Sequence, residues 1–394
     1  MSPFRRHPGF NPAAFLADYW QKKPFHLKHF VSDFCDPVSP DELAGLACED
    51  GVESRLVRSL PGPAWQLSHG PIPESAYSDL GDKDWTLLVQ AVDQWDQDVA
   101  GLKRLFDFLP AWRLEDIMVS FAAIDGGVGA HFDYYDVFLL QGQGSRRWRL
   151  GQPCDSGTPC VDVSGLSMLQ QFEPREEFDL EPGDLLYVPA GLAHQGIGLE
   201  PGLCYSIGLR ASSLAEALEG VSDLLIERAR PDQRFRDSDH PVPCKQAGLI
   251  EVGDLSVFAS QVQEALQSRD VFEQWFGCAV TRPLYPQEIN PPAEKFDSIE
   301  SACASAGTIS RHPASRFAFM PGSDAAGLRL FVNGECLPRP AQDVQLVSRL
   351  CDTSIDNLIP VLRAIEATSG NDLVLKLIND GSLLVSAGEN QADN

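Results

Sequence analysis

At 394 residues, 43% apolar and 22% charged, the chain has the length and composition of a folded protein of two or three domains. No window approaches the about 18 uninterrupted apolar residues of a membrane span, and no apolar run follows the basic opening Met1-Ser2-Pro3-Phe4-Arg5-Arg6-His7, which argues against a secretory signal. A net charge of −25, from 31 basic against 56 acidic residues, opposes binding to a phosphate backbone; it favours a basic protein partner, although solubility alone also accounts for an acidic surface.

In chain order, Phe15-Leu16-Ala17-Asp18-Tyr19-Trp20 reads as an amphipathic helix that stops before Lys23-Pro24. From Ile117 to Leu209 β-branched and aromatic runs are broken by Gly and Pro, the texture of a β-sandwich or barrel. The expected strands are Ile117–Ala123, Tyr135–Gln141, Arg146–Leu150, Asp184–Val188 and Leu203–Leu209. Turns are expected at Gly126-Gly127, Gly142-Gln143-Gly144 and Glu181-Pro182-Gly183.

Beyond Arg210 the apolar period turns helical. Leu214, Leu218, Val221 and Leu225 form one stripe behind a Ser212 or Ser213 cap, and Leu255, Phe258, Val262 and Leu266 form another. A polar stretch from Arg228 to Pro243 between them reads as an exposed loop. The two stripes suit either a homodimer interface or burial against the barrel.

The last third reads as a small α+β module. Arg316–Met320 pairs with Leu328–Val332, Asp343–Leu350 and Pro360–Ile365 are helical, and Leu373–Ile378 with Leu383–Ser386 flank the turn Asn379-Asp380-Gly381 as a terminal hairpin. Helices followed by a hairpin outline a winged helix. From Thr281 onward nine basic and fourteen acidic residues leave a net charge of −5, which argues against direct nucleic-acid binding. The ten cysteines include no Cys-x-x-Cys pair, a pattern that suits free thiols in a reducing cytoplasm.

The chemistry concentrates in His131-Phe132-Asp133 and in His194, 61 residues after that aspartate. On a strand, the alternation of side chains puts His131 and Asp133 on one face. With His194 brought in from an opposed strand they form a two-histidine, one-carboxylate triad, which leaves three neighbouring positions open on Fe(II). The run Gly126-Gly127-Val128-Gly129 lets the chain approach this point tightly, and Pro182-Gly183-Asp184 followed by Pro189 leads into His194.

Parity identifies a second element. In Arg146-Arg147-Trp148-Arg149-Leu150, the apolar Trp148 and Leu150 share a face with Arg146. An inward arginine needs an anion, either an acidic side chain or the distal carboxylate of a small dicarboxylate. Beside such a triad the dicarboxylate is 2-oxoglutarate, consumed with molecular oxygen to give succinate and carbon dioxide while the metal supplies the oxidation. Ser120, on the preceding strand, stands as a second holder of that carboxylate.

The residues quoted above are similar to those of the bacterial ribosomal oxygenases of the JmjC family, arginine hydroxylases of a large-subunit ribosomal protein (number sixteen). The resemblance rests on Asp18-Tyr19-Trp20-Gln21-Lys22-Lys23-Pro24-Phe25, on residues 126–133, on Tyr135-Asp136-Val137-Phe138-Leu139-Leu140-Gln141-Gly142, on Arg146-Arg147-Trp148-Arg149 and on residues 182–189. It covers most of the chain, the C-terminal third in outline only. It implies an α+β protein with a double-stranded β-helix (cupin/JmjC) catalytic domain over 1–211, a helical dimerisation segment over 212–275 and a winged-helix-like domain over 276–394. It implies Fe(II) at His131, Asp133 and His194, 2-oxoglutarate on Arg146 and Ser120, and a basic ribosomal protein as substrate, hydroxylated at an arginine β-carbon. A guanidinium guest calls for a carboxylate and an aromatic wall, for which Asp125 and Tyr135 are the candidates. Phe132 and Tyr134 stand where relatives carry other residues. Two other readings remain at this point: a histidyl hydroxylase or lysine demethylase on the same scaffold, and a non-catalytic winged-helix scaffold protein.

Overall fold

The computed structural model describes residues 4–61, 65–163, 165–235, 246–321, 327–364 and 371–386. The chain divides into two compact units, Met1–Ala211 and Ser212–Asn394.

The first unit contains β1 (Phe25–Leu27), β2 (Ser54–Ser59), β3 (Trp65–His69), β4 (Trp85–Val89), β5 (Leu114–Ala122), β6 (Val137–Gln141) and β7 (Arg146–Pro153). These are followed by β8 (Cys160–Val163), β9 (Leu166–Leu169), β10 (Glu176–Leu180), β11 (Leu185–Val188), β12 (Leu192–Gly198) and β13 (Gly202–Leu209). An eight-stranded antiparallel sheet runs β1-β11-β6-β13-β5-β4-β2-β3, and a three-stranded sheet, β10-β7-β12, lies against its centre. This is the double-stranded β-helix.

β6 and β11 are buried at every position, which is why they read as unbroken apolar runs and not as alternation. Phe138, Leu140, Leu185 and Tyr187 point to one face, where they meet Phe15 of α1 (Pro12–Asp18) and Leu43 of α2 (Pro40–Cys48). Val137, Leu139, Leu186 and Val188 point to the other, where Trp148, Leu150 and Leu180 of the small sheet cover them. The space between the two sheets holds the site.

Helix α1 starts earlier than expected. Asn11 caps it, accepting a hydrogen bond from the Ala14 amide, and Pro12 occupies the first turn; it ends at Asp18, short of Trp20. Gln21, at φ 55°, then turns the chain and gives its amide to the Tyr187 hydroxyl. Strand β12 supplies the opposed strand expected for His194, although Leu192-Ala193-His194-Gln195-Gly196-Ile197-Gly198 lacks the β-branched density of its neighbours and only its pairing with β7 makes it a strand.

In the second unit, helix α3 (Leu214–Arg228) begins at a capping box of Ser213 with Glu216, as the Ser212 or Ser213 expectation anticipated. It is followed by α4 (Val252–Leu266) and α5 (Arg269–Thr281). The loop expected over Arg228–Pro243 is exposed as far as Phe235, and its remainder lies outside the described residues. The boundary expected at 275/276 falls inside α5, so no break separates a helical segment from the following module at that point. Gly220 of α3 sits against the Trp275 ring and Gly277 against Phe331, which ties one helix to both neighbours.

Beyond α5 come α6 (Ile299–Ser305), β14 (Thr308–Arg311), β15 (Phe317–Pro321), β16 (Gly327–Val332), β17 (Glu335–Pro340), α7 (Val344–Leu350), α8 (Ile359–Ala364), α9 (Asn371–Asn379) and β18 (Leu383–Ser386). β15, β16 and β17 form one antiparallel sheet and β14 with β18 another. The expected terminal hairpin is therefore corrected: Leu373–Ile378 is helical, and β18 pairs with β14. Leu373, Val374, Leu377 and Ile378 recur at helical spacing and are all buried, so the helix hides four apolar side chains on one stripe. Among the described residues no helix is long and apolar enough to cross a membrane, and the nine described cysteines are all free.

Candidate metal centre

After β5 the chain turns at Asp125, φ 57°, and runs alongside β12, bonded to it at isolated points, so the segment expected as a strand at His131-Phe132-Asp133 is a single bridge at His131. The Asp125 amide donates to the Gly198 carbonyl at 2.8 Å, and His131 and His194 exchange both backbone bonds at 3.0 and 2.8 Å. The approach needs glycine: a Cβ on Gly127 would lie 2.3 Å from the Gly196 carbonyl oxygen. This pairing places two residues 63 apart in sequence directly opposite each other.

His131, Asp133 and His194 each offer a ligand atom, all within 4.8 Å of one another. The His194 Nε2 to Asp133 Oδ2 distance is 3.6 Å, and the two imidazole centroids are 4.3 Å apart. Each Nδ1 faces a carbonyl two residues earlier, His131 that of Gly129 at 3.1 Å and His194 that of Leu192 at 3.0 Å. A carbonyl only accepts, so both Nδ1 atoms carry the hydrogen and both Nε2 lone pairs are left for a metal. Burial, reinforced by His131 and partly opposed by Asp133, pushes the His194 pKa down to about 4, so its ring is neutral at pH 7, as a ligand must be. The donor set fits Fe(II) with open positions on one face.

Arg146 is 6% exposed and shares its face of β7 with Trp148 and Leu150, while Arg147 and Arg149 point outward to Asp179 and Glu177. Its Nη1 donates to Ser120 Oγ at 2.9 Å, and its Nη2 lies 3.5 Å from the Gly202 carbonyl. Among the described residues no acidic side chain pairs with it. Burial alone lowers its pKa, with Cys204 the sole opposing influence. A buried guanidinium in that state is unstable unless a ligand anion joins it. The donors therefore fit the distal carboxylate of a dicarboxylate chelated at the triad.

Tyr135 and Asp125 part company. Tyr135, 44% exposed, bonds to Asp133, and the partial desolvation of its hydroxyl together with the charges of Asp133 and Asp116 pushes its pKa up. Asp125 is exposed and pairs with Gly198, four residues along β12 from His194, roughly 13 Å at strand rise. It is not brought to the metal ligands. A second carboxylate whose charge reaches Tyr135 is that of Asp116, 4% exposed, accepting from Gln90 Nε2 at 2.6 Å and from the Ala91 amide at 3.1 Å. Burial and the neighbouring Asp93 charge raise its pKa to about 6. Asp116 was missed in the sequence, although it lies four residues before Ser120 and so on the same strand face.

The ligand loop is held from behind by Asp136. Its carboxylate accepts from the Tyr187 hydroxyl at 2.5 Å and from Gln21 Nε2 at 3.0 Å, and pairs with Arg113 at 3.3 Å. Those three partners come from the N-terminal segment, the turn before β5 and β11, so the loop's position is set by the whole first unit.

Comparison with known proteins gives two family matches, the JmjC domain over residues 101–217 and the ROXA-like winged helix over 264–384. The ribosomal protein uL16 3-hydroxylase of Escherichia coli is 40% identical over 286 residues, 73% of this chain and 75% of that protein. A probable ribosomal oxygenase of Haemophilus influenzae is 32% identical over 277 residues, 68% of this chain and 67% of that protein. The structure of the E. coli ribosomal oxygenase YcfD in complex with cobalt and 2-oxoglutarate matches with a TM-score of 0.79 at 33% identity, covering 97% of this chain and 99% of that one. With the metal triad, the guanidinium pocket and the winged helix all in place, the chain belongs to the JmjC ribosomal oxygenase family.

Proposed function

We propose that the protein is an Fe(II)- and 2-oxoglutarate-dependent dioxygenase that hydroxylates the β-carbon of an arginine in large-subunit ribosomal protein uL16. The observation that carries this reading is the pairing of the triad with Arg146, a buried cation lacking an acidic partner among the described residues. The E. coli relative is named for action on uL16, and a matched structure holds cobalt and 2-oxoglutarate. The reaction balances as one C–H bond, O2 and 2-oxoglutarate giving one C–OH bond, succinate and carbon dioxide. Bound iron supplies the oxidising chemistry that no side chain has.

This chain's own residues orient the partners. His131, Asp133 and His194 hold the metal through two neutral imidazoles and a carboxylate. Arg146 and Ser120 fix the far end of the co-substrate by a charge-assisted bond. Tyr135 and Asp116 are assigned to the substrate, because a buried carboxylate whose charge reaches an aromatic ring suits a guanidinium. Asp116 thereby takes the role first given to Asp125. A neutral imidazole guest has no use for that carboxylate, which favours arginine over histidine.

The apolar side chains of the helical segment support a homodimer. Leu214, Ile226, Val252, Leu255 and Phe258 are between 52% and 79% exposed, and such a stripe normally finds a partner. The free thiols and acidic surface support a cytoplasmic protein. The test is to incubate uL16 with the protein, Fe(II), 2-oxoglutarate and oxygen. Succinate should form in step with a gain of about 16 mass units on one arginine, as for one inserted oxygen atom. Absence of both would overturn the reading.

A further inference from the structure

Trp148 is the one tryptophan of seven that is buried, at 6% exposure. Its indole Nε1 has no hydrogen-bond partner among the described residues, although the atom is sealed from solvent. A buried donor without an acceptor is destabilising, and in a native protein it calls for an absent water or ligand. The surroundings favour a ligand. Trp148 sits between Arg146 and Leu150 on the inward face of β7, with the Arg146 guanidinium carbon 6.0 Å from its ring and the His194 imidazole centroid also 6.0 Å away. The indole thus spans the interval between the anion clamp and a metal ligand. The neighbouring strand makes room for it: a Cβ on Gly196 would come within 2.8–3.0 Å of the six-membered ring.

We infer that the Trp148 indole N–H is a further donor to the dicarboxylate co-substrate, joining Arg146 and Ser120 in its recognition. This rests on the function proposed above. It makes Trp148 a binding residue as well as a packing residue, and Trp148→Phe separates the two roles because Phe fills most of the same space but offers no donor. A tryptophan donor also adds selectivity without a second charge: its N–H accepts nothing, so it favours an oxygen-rich anion over an amine or amide donor.

The experiment uses the full-length protein with Zn(II) in place of iron, so that no turnover occurs, and adds 2-oxoglutarate. In 15N-labelled wild type the slowest-exchanging indole N–H resonance should move downfield on binding. Trp148→Phe should remove that resonance, keep its melting temperature without ligand, and bind 2-oxoglutarate about tenfold more weakly, the scale of one bond to a charged acceptor. Unchanged affinity in Trp148→Phe, with no indole resonance moving in the wild type, would overturn the inference and leave the proposed function standing. Failure of the wild type to bind 2-oxoglutarate at all would take down both. Should the Phe variant not fold, the wild-type indole response decides alone, since a stationary buried indole means that no bond forms.

Discussion

The two units bury different things. In Met1–Ala211 the buried groups include Arg146, Asp116, Asp184, His194 and Ser120, polar side chains that cost stability unless something pairs with them. In Ser212–Asn394 the core is almost wholly apolar, built on Leu330, Phe331, Val347, Leu350 and Leu377, while the helices leave Leu255 and Phe258 to solvent. One unit hides charge to make chemistry, and the other displays apolar surface to make contacts. A buried unpaired cation and an exposed apolar stripe are each unfavourable in isolation, and both point to a partner that lowers the cost.

The largest effect should break the first half of this contrast. Asp133→Ala removes the one anionic ligand, so metal content measured after gel filtration should fall to background and succinate formation should drop more than about 100-fold, beyond the range seen when only outer partners of a metal are lost. Next, Arg146→Met removes the co-substrate's charge partner. The KM for 2-oxoglutarate should rise about 100-fold, while the melting temperature without ligand rises, because an unpaired buried cation has gone. A fall in ligand-free stability would mean that Arg146 is paired after all.

Asp116 sharpens the comparison through pH. Its folded pKa of about 6 lies above its ordinary carboxylate value, so the folded state binds the proton more tightly than the unfolded chain. Stability from this group is therefore present at pH 4 and lost as the pH rises through 6. Relative to Asp116→Asn, denaturant titrations should show the wild type losing about 3 kcal/mol across that window. Binding of an arginine substrate should change in the opposite sense, strengthening as Asp116 ionises.

Smaller and confined to the second unit, Phe258→Glu should convert a dimer to a monomer in sedimentation without altering succinate formation per chain. A dimer that persists would assign the exposed stripe to another partner. Smallest of all, Arg147→Ala on the outward face of β7 should change stability by at most about 1 kcal/mol, since its bonds to Asp179 are at the surface.

How much of this was legible depended on range. The central strands were readable because their residues carry the signal themselves, as Phe138 and Tyr187 do in strands buried on both faces. Arg146 could be placed inward by counting parity from Trp148 and Leu150. The same count from Ser120 reaches Asp116, but nothing local says that its charge would be felt at Tyr135. Asp125, adjacent to the glycine run, was the nearer acid in sequence, yet it is exposed and pairs with Gly198, four residues along β12 from His194. Leu373–Ile378 was misread as half of a hairpin because a short apolar run beside Asn-Asp-Gly fits both a strand and a helix, and the decision came from which apolar core it had to fill.

From its residues alone the chain determined its strand texture, its helix caps, the types of its metal ligands and the inward sense of Arg146, because periodicity and capping act over a few residues. Only the tertiary structure decided that His131 lies opposite His194, that Asp116 is buried while Asp125 is exposed, and that the Trp148 N–H is left without an acceptor among the described residues. Those facts depend on sheet register and on what each buried group meets across the barrel, and register is a property of paired strands that neither strand carries by itself.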